Sequence, residues 1–131
     1  MTTLVLAGTI AAASSRPVRL SVSGNPLLVE AAASLSQRVL GLSGRDLGCD
    51  RGMLFVMPER GLHPFWMKDT FCPLSIAFLG NDGTIIAIRD LVPQSLELVG
   101  PPAPVKLALE VPLGWFRAHD VIEGDRVSVV A

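Results

Sequence analysis

The chain has 131 residues, half of them hydrophobic, 18% charged, with a net charge of −1 from 11 basic and 12 acidic side chains. That length fits one domain with a core large enough to fold without staples. No run of like charge appears and the chain holds no Tyr, so the basic stripe with stacking aromatics that nucleic acid requires is missing. Mean hydropathy is +0.48, but no window supplies the ~18 apolar residues needed to span a bilayer.

The first 17 residues form an apolar segment that reads as a strand or as a signal-like leader. Ala11-Ala12-Ala13-Ser14-Ser15 resembles a cleavage region, but no Lys or Arg precedes Leu4, so the charged start of a secretory signal is absent. Residues 18–131 read as one domain. Val18 to Val22 and Leu27 to Ala31 flank Ser23-Gly24-Asn25-Pro26, which predicts a hairpin. Ser34 is a candidate N-cap. Leu35, Val39 and Leu42 follow at helical spacing, so one short helix is expected over 34–42. Met53 to Met57 reads as a buried strand, Pro58-Glu59-Arg60-Gly61 as a turn, and Phe65 to Asp69 as a further strand.

Leu74 to Leu79 alternates, and Asn81-Asp82-Gly83 is a strong hairpin signal, so Thr84 to Arg89 should pair back antiparallel. Pro93 to Pro104 carries four prolines, and a loop of that length is often functional. Val105 to Val111 alternates as a strand, Gly114 to His119 suggests one helical turn, and Arg126 to Val130 a last strand. The sum is a mainly β (α+β) single domain. It is a β-sandwich or partly closed barrel of about seven to eight short strands with one packed helix.

The chemistry concentrates at Phe65-Trp66-Met67-Lys68-Asp69-Thr70. On a strand, Trp66, Lys68 and Thr70 would share one face, and Phe65, Met67 and Asp69 the other. Trp66 would then supply a flat apolar wall, Lys68 a point charge, and Asp69 and Thr70 orienting hydrogen bonds. The alternative is a structural network in which Lys68 pairs with Asp69 or Glu110 and Trp66 fills the core. Arg51, with Arg45 and Asp50 nearby in sequence, could grip an anionic group bidentately. The plainer role is a clamp from loop to backbone. His63 and His119 lie far apart in sequence, and His63, next to Pro64, reads as a surface residue. No metal site is expected from this spacing. Cys49 and Cys72 could pair in an exported protein and would stay free in the cytosol. Cys72, between Phe71 and Pro73, reads as a small buried apolar side chain. No nucleophile elbow, Cys-His signature or phosphate loop is present, and no cofactor motif is found.

Several segments in order resemble the DUF192 (UPF0127) family: Arg38 to Arg45, Arg51-Gly52-Met53-Leu54-Phe55-Val56, Phe65 to Thr70, Pro73-Leu74-Ser75-Ile76, Leu109-Glu110-Val111-Pro112-Leu113-Gly114, and Gly124-Asp125. The resemblance spans about residues 20–130. It implies a β-sandwich-like domain with a packed helix. It also implies export or membrane tethering in bacteria and archaea, but no activity, since the family has none assigned. Three positions depart from the family pattern: Asp69 stands where Asn is usual, Ser75 where Asp is usual, and Ser43 where Met is usual. A proton-transfer role for that carboxylate would be lost here unless Asp69 compensates.

The leading expectation is a non-catalytic binding or accessory domain. It would take a small polar or anionic ligand at Trp66 and Lys68, with Arg51, Asp69, Thr70 and Glu110 around it and the proline-rich loop as a lid. Two alternatives stand beside it. One is an enzyme with Asp69 as general base and Lys68 as electrostatic stabiliser. The other is a structural or protein-interaction module.

Overall fold

The computed structural model describes residues 17–33 and 52–130, together with the backbone of a two-residue strand, β1 (Thr2–Thr3). The helix expected over 34–42, Arg51, Cys49 and most of the apolar N-terminal segment lie outside the described residues. β2 (Pro17–Val22) and β3 (Asn25–Ala32) form the expected hairpin about Ser23 and Gly24. Next come β4 (Met53–Gly61), β5 (Phe65–Trp66), β6 (Leu74–Leu79), β7 (Ile85–Leu91), β8 (Val105–Pro112), the single turn α1 (Trp115–Ala118) and β9 (Val127–Val129).

Seven strands make one sheet in the order β7-β6-β8-β4-β3-β2-β9, antiparallel except for the parallel pair β3 and β4. The sheet curls until its ends meet. The Val127 N–H donates to the Gly83 carbonyl and the Ile85 N–H to the Asp125 carbonyl, while Thr84 and Arg126 form an isolated bridge. Gly83 has a positive φ, and a Cβ there would strike the Val127 carbonyl, so this closure requires glycine. The expected partly closed barrel is present, with one short helix among the described residues.

Each face of the sheet carries an apolar cluster. Inside the curl lie Leu20, Val22, Val29, Leu54, Leu79, Leu109 and Phe116; outside it lie Met53, Phe55, Phe65, Met67, Ile76 and Phe78. β6 is buried along its whole length because both of its faces are covered.

The outer cluster is roofed by a second layer. β5 pairs with β1 on one side. On its other side the proline-rich loop runs alongside it, with Phe65 and Val99 exchanging both backbone bonds, Met67 N–H donating to Ser95 O and Gln94 N–H to Thr70 O. Phe65 inserts between Phe55 and Phe78, with ring centroids 5.1 and 6.1 Å away. The loop is therefore a fastened strip of the roof, not the free lid expected of it.

Three local expectations change. Pro58 to Gly61 continues β4 rather than turning, and the register with β8 shifts between Val56 and Gly61. A proline is tolerated at such an irregularity because no ladder bond is asked of it. β5 ends at Trp66, and Met67 to Thr70 forms a turn closed by Thr70 N–H to Met67 O, with Asp69 at φ 56°. His63 is buried rather than exposed, its Nε2 lying 2.8 Å from the Glu59 carbonyl.

Candidate functional site

The turn after β5 separates residues that strand alternation had grouped. Phe65 and Met67 enter the outer cluster as expected. Lys68 and Asp69 are exposed, whereas Thr70 is buried and its hydroxyl donates to the Lys68 carbonyl at 3.2 Å. Thr70 thus closes the turn, and its hydroxyl is already engaged. The Lys68 ammonium lies over the Trp66 ring, 5.6 Å from the centroid, a cation–π placement. Trp66 is half-buried, and its indole N–H is sealed from solvent with no hydrogen-bond partner.

Glu110 is the most unusual side chain described. It lies on β8 between Met53 of β4 and Ile76 of β6, so strand alternation turns it with Ala108 toward the outer cluster. It is fully buried, and neither carboxylate oxygen has a hydrogen-bond partner. No ion pair with Lys68 satisfies it, so the network expected to join them is not formed. Burial is the main cause that lifts its pKa from 4.5 to about 8, because a charge is costly in an apolar surrounding. Gly52 lets β4 pass close by: a Cβ at that position would lie 3.0 Å from the Glu110 carbonyl oxygen.

Ser75 sits on the opposite face of the sheet from Glu110. Its hydroxyl donates to Asp90 Oδ1 at 3.2 Å and accepts from the Gly114 N–H at 3.3 Å. Ser75 and Asp90 are direct cross-strand partners. The carboxylate beside position 75 is therefore Asp90, not Asp69, a residue the sequence reasoning missed because only the strand register reveals it. Ser75 and Asp90 border a cleft of about 690 Å³ at the mouth of the curl, floored by Phe116 and Val121. Restoring an acid with Ser75→Asp is expected to cost roughly 1–3 kcal/mol at pH 7, since it sets two carboxylates opposite each other at a buried position. Adding Asp90→Ser should recover most of that loss in urea denaturation.

Among the described residues no group of three His, Cys, Asp or Glu side chains gathers as metal ligands, and no helix is long and apolar enough to cross a membrane. His119 stacks on Trp115, with ring centroids 4.0 Å apart. Cys72, half-buried in the turn before β6, is disulfide-bonded rather than free. The chain's one other cysteine is Cys49.

A curled β-sheet roofed by a short second layer, with a buried acid on its roofed face, defines a small β-domain. Residues 18–129 match the model of the DUF192 family, described as "Uncharacterized ACR, COG1430", and the chain belongs to that family. It is similar to a crystal structure of a candidate transcription regulator from Sinorhizobium meliloti 1021, at 35% identity over 91% of this chain and 98% of that one, with a TM-score of 0.82. It is also similar to a protein of unknown function from Novosphingobium aromaticivorans DSM 12444, at 26% identity over 92% and 91%, with a TM-score of 0.79. No curated protein matches.

Proposed function

We propose that the protein is a non-catalytic binding domain for a small polar or anionic ligand, with its site at Trp66, Lys68 and Glu110. One observation carries this reading. Among the described residues, the buried side-chain polar atoms without a hydrogen-bond partner are Trp66 Nε1 and the two oxygens of Glu110. Leaving such groups unsatisfied costs about 1–3 kcal/mol each, and a fold that tolerates this cost at two of its candidate residues suggests a ligand that satisfies them. Lys68 adds an exposed cation beside the indole. Asp69 and Arg51 remain candidate orienting residues.

The test is thermal unfolding against small anions, sugars, nucleotides and divalent metals. A ligand at about a hundred times its dissociation constant adds about 2.7 kcal/mol. The shift should disappear in Lys68→Ala, while the unliganded melting point stays within the change typical of an exposed position. A panel without any shift would refute the reading.

The name of the Sinorhizobium relative raises DNA binding as an alternative, but a net charge of −1 gives little to attract phosphates. A protein-interaction role has better support. Leu62, Phe71, Val92, Leu96 and Leu98 are more than half exposed, in or next to the segments that form the roof, and contiguous exposed apolar surface marks contact sites. If that role holds, sedimentation should show self-association that Leu96→Asp abolishes.

A further inference from the structure

A cleft opens on the face of the sheet opposite the roof, away from Trp66 and Lys68. The seam that closes the curl is bonded from Gly83 to Ile85 and then parts. The gap is the cleft of about 690 Å³, within the size range of small-molecule sites. One wall is the edge strand β7 with Ser75 of β6, and the other is the segment from Leu113 to Glu123. Two hydrogen bonds tie the walls together. The Gly114 N–H donates to Ser75 Oγ at 3.3 Å, and the Ile88 N–H to Glu123 Oε2 at 3.0 Å. Phe116 and Val121, both buried and both part of the cluster inside the curl, form an apolar floor.

The Ile88 N–H points away from β6, so Asp90, two residues on, also turns its backbone N–H and carbonyl outward. Ser75 and Asp90 are then a closely spaced cross-strand pair, and the buried Ser75 hydroxyl donates to Asp90 Oδ1 at 3.2 Å. That bond holds the Asp90 carboxylate at the wall of the cleft. Across from it, Asp120 lines the other wall. Glu123 is already engaged with Arg89 at 3.4 Å, whereas Asp90 and Asp120 have no ion-pair partner among the described residues. Of the residues that line the cleft, only Arg117 is basic. We propose that this cleft binds an organic cation. The apolar body of an alkyl- or arylammonium rests on Phe116 and Val121, and Asp90 and Asp120 hold the ammonium. An ammonium only donates hydrogen bonds, and the two carboxylates and the outward carbonyl of Asp90 accept them. Arg117 carries the same sign as the ligand and lowers its affinity.

The experiment is NMR titration of the full chain at pH 7 with benzylammonium, benzyl alcohol and benzoate, which share a ring and differ in charge. The amides of Ile88, Gly114 and Val121 report on the cleft. Benzylammonium is expected to shift them saturably and to bind more tightly than the other two probes. Asp120 has φ 55°, a conformation that Asn also adopts readily, so Asp120→Asn removes the charge and keeps the turn. Asp90→Asn keeps the oxygen to which Ser75 donates. Either variant should weaken benzylammonium about three- to fivefold, and Arg117→Gln should tighten it about two- to threefold, as expected of partly exposed charge pairs. Lys68→Ala should leave this binding unchanged, which separates it from the site proposed above. Benzoate or benzyl alcohol binding as tightly as benzylammonium would overturn the cation class. Benzylammonium binding in the cleft that neither Asn variant weakens would overturn the role of the carboxylates. No saturable shift at these amides with any probe would overturn the site, whatever the outcome at Trp66 and Lys68.

Discussion

Glu110→Leu is expected to make the protein several kcal/mol more stable at pH 8 and to remove most of the pH dependence between pH 5 and 8. The folded pKa of Glu110 is raised to about 8 from 4.5, so the sign runs against the usual carboxylate. Below about pH 4.5 both folded and unfolded chains hold the proton, and stability is full. Between about 4.5 and 8 the unfolded chain releases the proton while the folded chain keeps it, and stability falls as pH rises. Above about 8 both are ionised and the loss levels off. At 1.36 kcal/mol per unit, the drop is on the order of 4–5 kcal/mol, roughly 10–15 °C of melting temperature for a domain of this size. The side chain has no exposed surface, so solvent screening does not reduce this figure. Leucine suits the surroundings, with Met53 and Ile76 alongside. The measurement is chemical denaturation of both proteins at pH 5 and pH 8. Parallel profiles would mean that the carboxyl is solvated, and the buried acid would lose its significance. A more stable but unresponsive Leu variant would be the expected trade of stability against function.

The sequence pattern carried the sheet further than the site. β6 was legible because Leu74, Ile76 and Phe78 alternate with Ser75, Ala77 and Leu79, and both sets turn out to face apolar layers. The β6–β7 hairpin followed from Asn81-Asp82-Gly83, and α1 from the run after Gly114. Alternation failed after Trp66 because nothing in Met67-Lys68-Asp69-Thr70 distinguishes a continuing strand from a turn that puts Asp69 at positive φ. Polar residues tolerate that conformation at low cost. That single turn decides that Lys68 is exposed and Thr70 buried. The pairing of Ser75 with Asp90 was illegible for a different reason: it depends on the register across a hairpin. Glu110 entered as a candidate orienting residue, but its lack of partners is a property of packing. The apolar rows on either side of it, set by β4 and β6, leave its oxygens without a hydrogen-bond partner.

Cys72→Ser is expected to destabilise the protein by about 3 kcal/mol, close to 10 °C in melting temperature. Cys72 is disulfide-bonded, and the sequence leaves Cys49 as its partner, closing a loop of 23 residues. A cross-link over that length removes unfolded-state entropy worth about 3 kcal/mol in the chain-entropy model. Wild type should melt lower in reductant, and Cys72→Ser should melt at that lower temperature with or without it. A wild-type melting point indifferent to reductant, with free-thiol titration finding two thiols, would overturn the bond. A bond that survives in purified protein also bears on where the chain works, since such links persist in oxidising compartments. Expressing the protein with and without an export signal, then counting thiols, would show which environment forms it.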